Sequence, residues 1–265
     1  MPSTYAHYRF GTEVYRRLPP EWRRRIDASY HLYCVGLHGP DILFYYKPLH
    51  RNAVNKVGYL MHGWTGQEFF TRGIRLAELS PHPEEAWSYL LGCLCHFILD
   101  SFCHPYVEEK LARSHVYHTE IEGAFDRVLM TMDGLDPLTH RLTDHVLPDR
   151  TEACIIAPFF TPVSAEQVYE ATRSFILLNQ ALLPTSKLKR AAVSGLLHVT
   201  GNYGEMHGMM MTSRRNPCFA DSDERLYALY QKGIEESLPL FNQLADRKCG
   251  RGDLGPRFRH TFGVD

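Results

Sequence analysis

Between Ala86 and His104 the chain is apolar on almost every side of a helix, the pattern of a helix enclosed by others at the centre of a bundle. The exceptions within it constrain the fold most. His96, Asp100 and His104 stand at i, i+4 and i+8, so they drift by only about 40° per step and form one stripe. A carboxylate in such surroundings is costly unless it is paired. Two flanking imidazoles bound to a cation would compensate it. Pro105 follows directly and predicts that the regular helix stops at His104, which would re-aim that imidazole.

The remaining pattern is helical. Thr4 to Leu18 is stopped by Pro19 and Pro20, and further helices are expected near 66–80, 83–104, 117–133, 164–182, 186–212 and 221–246. Pro83 with Glu84 and Glu85 reads as a helix start, as do Ser164-Ala165-Glu166 and Ser222-Asp223-Glu224. No strand ladder is visible. The predicted fold class is all-α: a single-domain multi-helix bundle over residues 1–248, with a flexible Gly- and Arg-rich tail over 249–265.

Composition excludes several functions. A formal charge of −1 supplies no overall field for nucleic acid or an anionic membrane, so such contacts need a local patch. The longest apolar stretch, Tyr89 to Leu99, is too short to cross a bilayer. The opening Met1-Pro2-Ser3-Thr4 lacks a basic segment followed by an apolar one, which predicts no signal peptide and a cytoplasmic location. Seven cysteines with no CxxC at Cys93 and Cys95 fit reduced, buried thiols. No HExxH, GxSxG, GxxxxGK[ST] or GxGxxG occurs.

Histidine is the anomaly. Ten of the fifteen lie in the first 118 residues. A second i, i+4 pair, His118 and Glu122, falls on the same helical side as Phe125 and Leu129, with His115 one turn earlier as an additional candidate. Any single one of these histidines is more often an ordinary core or surface imidazole. Two His/carboxylate pairs, one of them in a buried helix, favour metal. Imidazole and carboxylate without thiolate is the ligand chemistry of catalytic zinc.

Taken with His7, the Gly36-Leu37-His38-Gly39-Pro40-Asp41-Ile42 run and the Gly58-Tyr59-Leu60-Met61-His62 run, the order of these residues resembles the bacterial zinc-dependent phospholipase C family. That family shares its helical site with trinuclear-zinc nucleases acting on single strands. The resemblance implies a polynuclear zinc site holding two or three ions per chain, a number on the order of that in two-metal phosphoesterases. Asp41, His62, His96 and Asp100 would hold one zinc, and His104, His118 and Glu122 a second. His7 and the bridging Asp100 would hold a third, which relatives complete with an N-terminal Trp; here Pro2 is the substitute. Asp41 and His62 stand 21 residues apart, a longer interval than in the relatives, and His50 between them is the reserve ligand.

The implied activity is phospholipase C-like hydrolysis of a phosphodiester by a zinc-bound hydroxide, with Asp41 orienting or deprotonating the attacking water and Asp100 bridging the metals. Both carboxylates acting purely as ligands is the plainer alternative. Phe10, Phe44, Tyr45, Tyr46, Trp64, Phe69 and Phe70 lie near the motifs, where they serve as core, as a cage for a choline cation or as a stacking wall for bases. A phosphodiester or phospholipid head group is the expected substrate, compatible with peripheral membrane contact. No stable nucleic-acid partner and no protein partner are predicted. The alternatives are a nuclease or nucleotidase, or a metal-binding helical protein without catalysis.

Overall fold

The computed structural model describes residues 4–263. In chain order the helices are α1 (Thr4–Arg17), α2 (Pro20–Asp27), α3 (Tyr30–Gly36), α4 (Ala53–His62), α5 (Gly66–Leu79), α6 (Pro83–Arg113), α7 (His118–Met132), α8 (Arg150–Ile156), α9 (Ala165–Leu182), α10 (Lys187–Val199), α11 (Tyr203–Met206) and α12 (Ala220–Lys248). The protein is all-α. Among the described residues the nearest thing to a sheet is one isolated bridge between Thr65 and Thr261.

Helix α6 is the axis of the molecule, buried without a break from Ala86 to His104. It is long and apolar enough to cross a membrane by length and composition, but nearly all of that stretch is covered by protein. Helices α1, α2, α3, α5, α7, α8 and α12 all pack on it. The closest approach is to α3: a Cβ at Gly92 would lie 2.2 Å from the Tyr33 carbonyl oxygen, and one at Gly36 2.3 Å from that of Tyr89. Only paired glycines allow these backbones to touch.

Several ends obey local chemistry. Asn52, Asp149, Ser164 and Ser186 cap α4, α8, α9 and α10 through their side chains, and Thr65 with Glu68 closes a capping box on α5. Ser222 departs from the expectation. It lies buried inside the first turns of α12, which begins at Ala220, and receives the Tyr106 hydroxyl at 3.0 Å. The helix expected over 186–212 is broken at Gly201, whose φ of +72° lets the Asn202 N–H turn back to the Leu197 carbonyl. Four cysteines are buried as expected; Cys154, Cys218 and Cys249 are exposed.

Two further corrections belong together. Helix α6 does not stop at His104 but passes through Pro105 to Arg113. Proline removes the N–H that would bond the Ser101 carbonyl, and that carbonyl instead accepts from Arg257 Nη1 at 3.4 Å. Arg257 belongs to the segment expected to be a loose tail. From Leu254 onward it is anchored to the body: Leu254, Phe258 and Phe262 are buried, and the Arg257 guanidinium lies 3.8 Å from the Phe102 ring centre. Phe258 and Phe262 stack among Phe69, Phe70 and Phe97.

Replacing Arg257 by Met is expected to cost about 1–2 kcal/mol in denaturant unfolding, because a buried carbonyl loses its donor. In a Pro105→Ala background, where the helix supplies its own N–H, the same change should cost less than half as much. An equal cost in both backgrounds would remove Arg257 from this role.

Candidate metal centre

Five segments deliver the polar side chains to one place. His7 comes from α1, whose first turn is held by the Asp126 carboxylate accepting the Tyr5 and Ala6 N–H groups at 3.0 and 2.7 Å. Asp41 sits in a tight helical turn, Gly39–Tyr45. That turn begins at Gly39 with φ +45°, where a Cβ would come within 2.6 Å of the His96 ring. Glycine is therefore required both by the dihedral and by the approach. His62 is the last residue of α4, and α7 carries His118 and Glu122 one turn apart.

These side chains form three groups whose ligand atoms lie close enough to share an ion: His7, His96 and Asp100; Asp41, His62 and His96; and His104, His118 and Glu122. Asp100 connects them. Its carboxylate stands 3.2 Å from His7 Nε2, 3.0 Å from His96 Nε2 and 3.7 Å from His104 Nε2. Asp41 reaches His62 Nε2 at 2.8 Å and His96 Nε2 at 3.7 Å, while Glu122 reaches His118 at 2.9 Å and His104 at 3.4 Å.

The residues fit a cation better than they fit one another. His96 Nε2, Asp41 Oδ1, Asp100 Oδ2 and Glu122 Oε2 are buried yet make no hydrogen bond, although oppositely charged groups stand at ion-pair distance. Buried polar atoms are nearly always satisfied. Atoms that are close but not aligned as donor and acceptor are what a metal ion between them would produce. Cys103 is nearby but belongs to none of the three groups, and burial, with the Asp100 and Glu122 charges, pushes its thiol well up.

A second layer of bonds aims the imidazoles. Nδ1 of His62 donates to the Gly58 carbonyl at 2.7 Å, that of His96 to Leu37 at 3.2 Å, and that of His104 to Phe262 at 2.6 Å. A carbonyl can only accept, so in the neutral ring Nδ1 holds the proton and the Nε2 lone pair is left for a metal. No sequence signal marks these partners, because they are backbone atoms. Phe262 is 158 residues from His104.

Burial and charge oppose each other throughout. Burial alone would raise the carboxyls and lower the imidazoles. The surrounding His104, His96 and His7 nevertheless hold Asp100 well below its usual value, and His96 and His62 do the same for Asp41. Glu122 is likewise depressed by His118 and His104. Asp100 and Asp41 raise His96, and Asp100 with Glu122 brings His104 up to about 9. His7 goes the other way, lowered by burial and by His96 stacked 4.2 Å away.

Each of the eight predicted residues lies in one of these groups. His50 is exposed in the turn before α4, and His115 is exposed ahead of α7, so neither joins them; Pro2 lies outside the described residues. His38, within the Gly36–Ile42 run, turns away and pairs with His145 at 2.7 Å, both imidazoles driven down by burial. Phe10, Tyr45 and Phe70 are fully buried core, whereas Phe44 packs 5.1 Å from the His62 ring.

A family model described as zinc-dependent phospholipase C matches residues 6–167. That span contains all eight residues and leaves most of α9, α10 to α12 and the segment after them outside. No curated protein and no solved structure matches the chain.

In the metal-free protein the raised imidazoles stabilise the fold fully below 6.5 and lose that contribution as pH rises through about 9 for His104. The lowered His7, His38 and His145 remove stability below 6.5, where the unfolded chain takes up protons that they refuse. The melting temperature of the zinc-free chain should therefore peak near pH 6.5 and fall toward pH 9. Zinc should abolish the alkaline fall and release about one or two protons per chain at neutral pH, read by calorimetry in buffers of different ionisation enthalpy. Zinc binding without proton release would contradict these assignments.

Proposed function

The chain belongs to the zinc-dependent phospholipase C family, and from that premise we propose that it hydrolyses a phospholipid phosphodiester on the glycerol side, releasing a diacylglycerol and a phosphorylated head group. The observation that carries this reading is the linked set of three His/carboxylate groups, joined through Asp100 and holding buried atoms without hydrogen bonds. Zinc bound there would supply Lewis-acid polarisation of the phosphoryl oxygens and acidify a water for in-line displacement.

The protein's own groups have separable tasks. Asp41 is kept ionised by His96 and His62, so it can orient the attacking water and, as a weak base, take a proton that bound zinc would have acidified. Water oxygen bonds to phosphorus, the bond to the glycerol oxygen breaks, and a proton returns to that oxygen. Asp100 fixes the spacing of the groups on either side of it, and His104, His118 and Glu122 provide the second set of ligands. The backbone carbonyls of Leu37, Gly58 and Phe262 hold the rings in place, so little reorganisation remains when substrate arrives.

The native protein should contain two or three zinc ions by elemental analysis, about the complement of a two-metal phosphoesterase with one accessory ion. His96→Ala and Glu122→Ala should each lose zinc and hydrolysis of short-chain phosphatidylcholine together. Asp41→Asn, assayed with zinc restored in excess, should still lose about 10²–10⁴-fold in kcat, the range for a general base. Full metal content in both alanine variants would reject the site, and unchanged kcat in Asp41→Asn would reject the proton-accepting role.

A further inference from the structure

Helix α10 is apolar on two opposite faces but covered on only one. Inward, Val193 and Leu197 join a small cluster with Leu182, Met206 and Met210. Outward, Leu188, Ala192, Gly195, Leu196 and Val199 follow one another along a single stripe. Leu188 is 81% exposed, Leu196 56% and Val199 87%, and a Cβ at Gly195 would meet nothing within 4 Å. Leu197 is the only fully buried residue of the helix. Such a helix, in a chain with a well-packed core elsewhere, presents a face that something else covers.

Charge points to what covers it. Residues 171–204, which include α10, contain Arg173, Lys187, Lys189 and Arg190 but no Asp or Glu, and residues 42–67 contain Lys47, Arg51 and Lys56, again without an acid. These stretches stand out in a chain of net charge −1. Lys189 and Arg190 are spent on tethering, bonding the carbonyls of Gln180 and of Met210 and Met211. Lys187, Arg51 and Lys56 are exposed and make no ion pair among the described residues.

The 42–67 stretch borders α11 at Glu205, just beyond the end of the first stretch at residue 204. Arg51, Lys56 and Tyr59 of the α4 region face Glu205 of α11 across a cleft of about 570 Å³. Helix α4 ends in His62, and α11 rests on Tyr117, next to His118, so closely that a Cβ at Gly204 would come within 2.8 Å of that ring. Tyr59 and Leu60 are more than half exposed at this rim. Helix α10 packs on α11.

We propose that the outer face of α10 docks on an anionic phospholipid bilayer, its leucines and valine entering the interface while Lys187 and the positive charge of the acid-free stretch 171–204 face the lipid phosphates. The proposal rests on the phospholipid reading of the metal centre and adds the surface by which the protein reaches such a substrate. An apolar stripe beside basic residues is the composition of helices that lie in a bilayer surface.

The test is cosedimentation of the zinc-loaded protein on ice with phosphatidylcholine vesicles containing roughly one-quarter phosphatidylserine, set against pure phosphatidylcholine vesicles. The wild type should bind the mixed vesicles and be released by salt. Leu196→Glu combined with Val199→Glu should raise the lipid needed for half-binding by at least about tenfold, as should Leu188→Glu alone. Both should keep the zinc content, the melting temperature and the rate on monomeric dihexanoylphosphatidylcholine. Unchanged vesicle binding in both variants, or no binding by the wild type, would overturn the proposal. So would a wild-type dimer in sedimentation velocity that the variants turn into monomers. Vesicle binding without hydrolysis of any phospholipid would leave docking standing and defeat the phospholipase reading; hydrolysis of the monomer without vesicle binding would do the reverse.

Discussion

A single ionised carboxylate, Asp100, lies in the middle of the most buried helix of the protein, only 3% exposed. An uncompensated charge at that depth would be incompatible with folding, and the architecture around it can be understood as its compensation. His96 and His104 flank it one turn away on the same helix, and α1 is brought in to add His7. The glycine pair of α3 and α6 and the left-handed Gly39 lead the chain from the bundle core to Asp41 beside His96. Burial and charge compensation thus act on the same few side chains, and the stable arrangement is also the one that concentrates ligand atoms.

What the sequence revealed follows from how local the determining interactions are. The central helix and the His96, Asp100 and His104 stripe depend on helical periodicity, as does His118 with Glu122, and these were readable residue by residue. His7, Asp41 and His62 carry no such periodicity; their place came from their order along the chain. The short helices α2, α3, α4 and α8 gave too few turns for a pattern to emerge. Where tertiary contacts supply a missing partner, local rules misled: Pro105 reads as a stop only if nothing else can satisfy the Ser101 carbonyl, and Arg257 does so from a segment whose Gly and Arg content suggested disorder. The bonds that aim the imidazoles use backbone oxygens, which every residue possesses.

The two halves of the molecule divide the work unevenly. All eight candidate ligands fall within the span shared with the family, and the later helices surround them: α12 packs along α6, α11 leans on α7, and α10 stands outermost with most of its surface uncovered. The candidate ligands are therefore held in the buried interior, while the most exposed helix stands away from them. A site built in this way can keep its metal geometry while the surroundings that meet the substrate change.

The packed segment after α12 has a consequence for the order of assembly. It closes over residues made much earlier: the Phe262 carbonyl orients His104, and the Gly263 N–H bonds the His62 carbonyl. During synthesis every candidate ligand leaves the ribosome well before these two contacts exist. His104 is then free to rotate, and a metal arriving early meets an incomplete set of aimed nitrogens. The final geometry of the centre thus waits on contacts made late in the chain, and until Phe262 and Gly263 are in place the candidate ligands are all present but not all aimed.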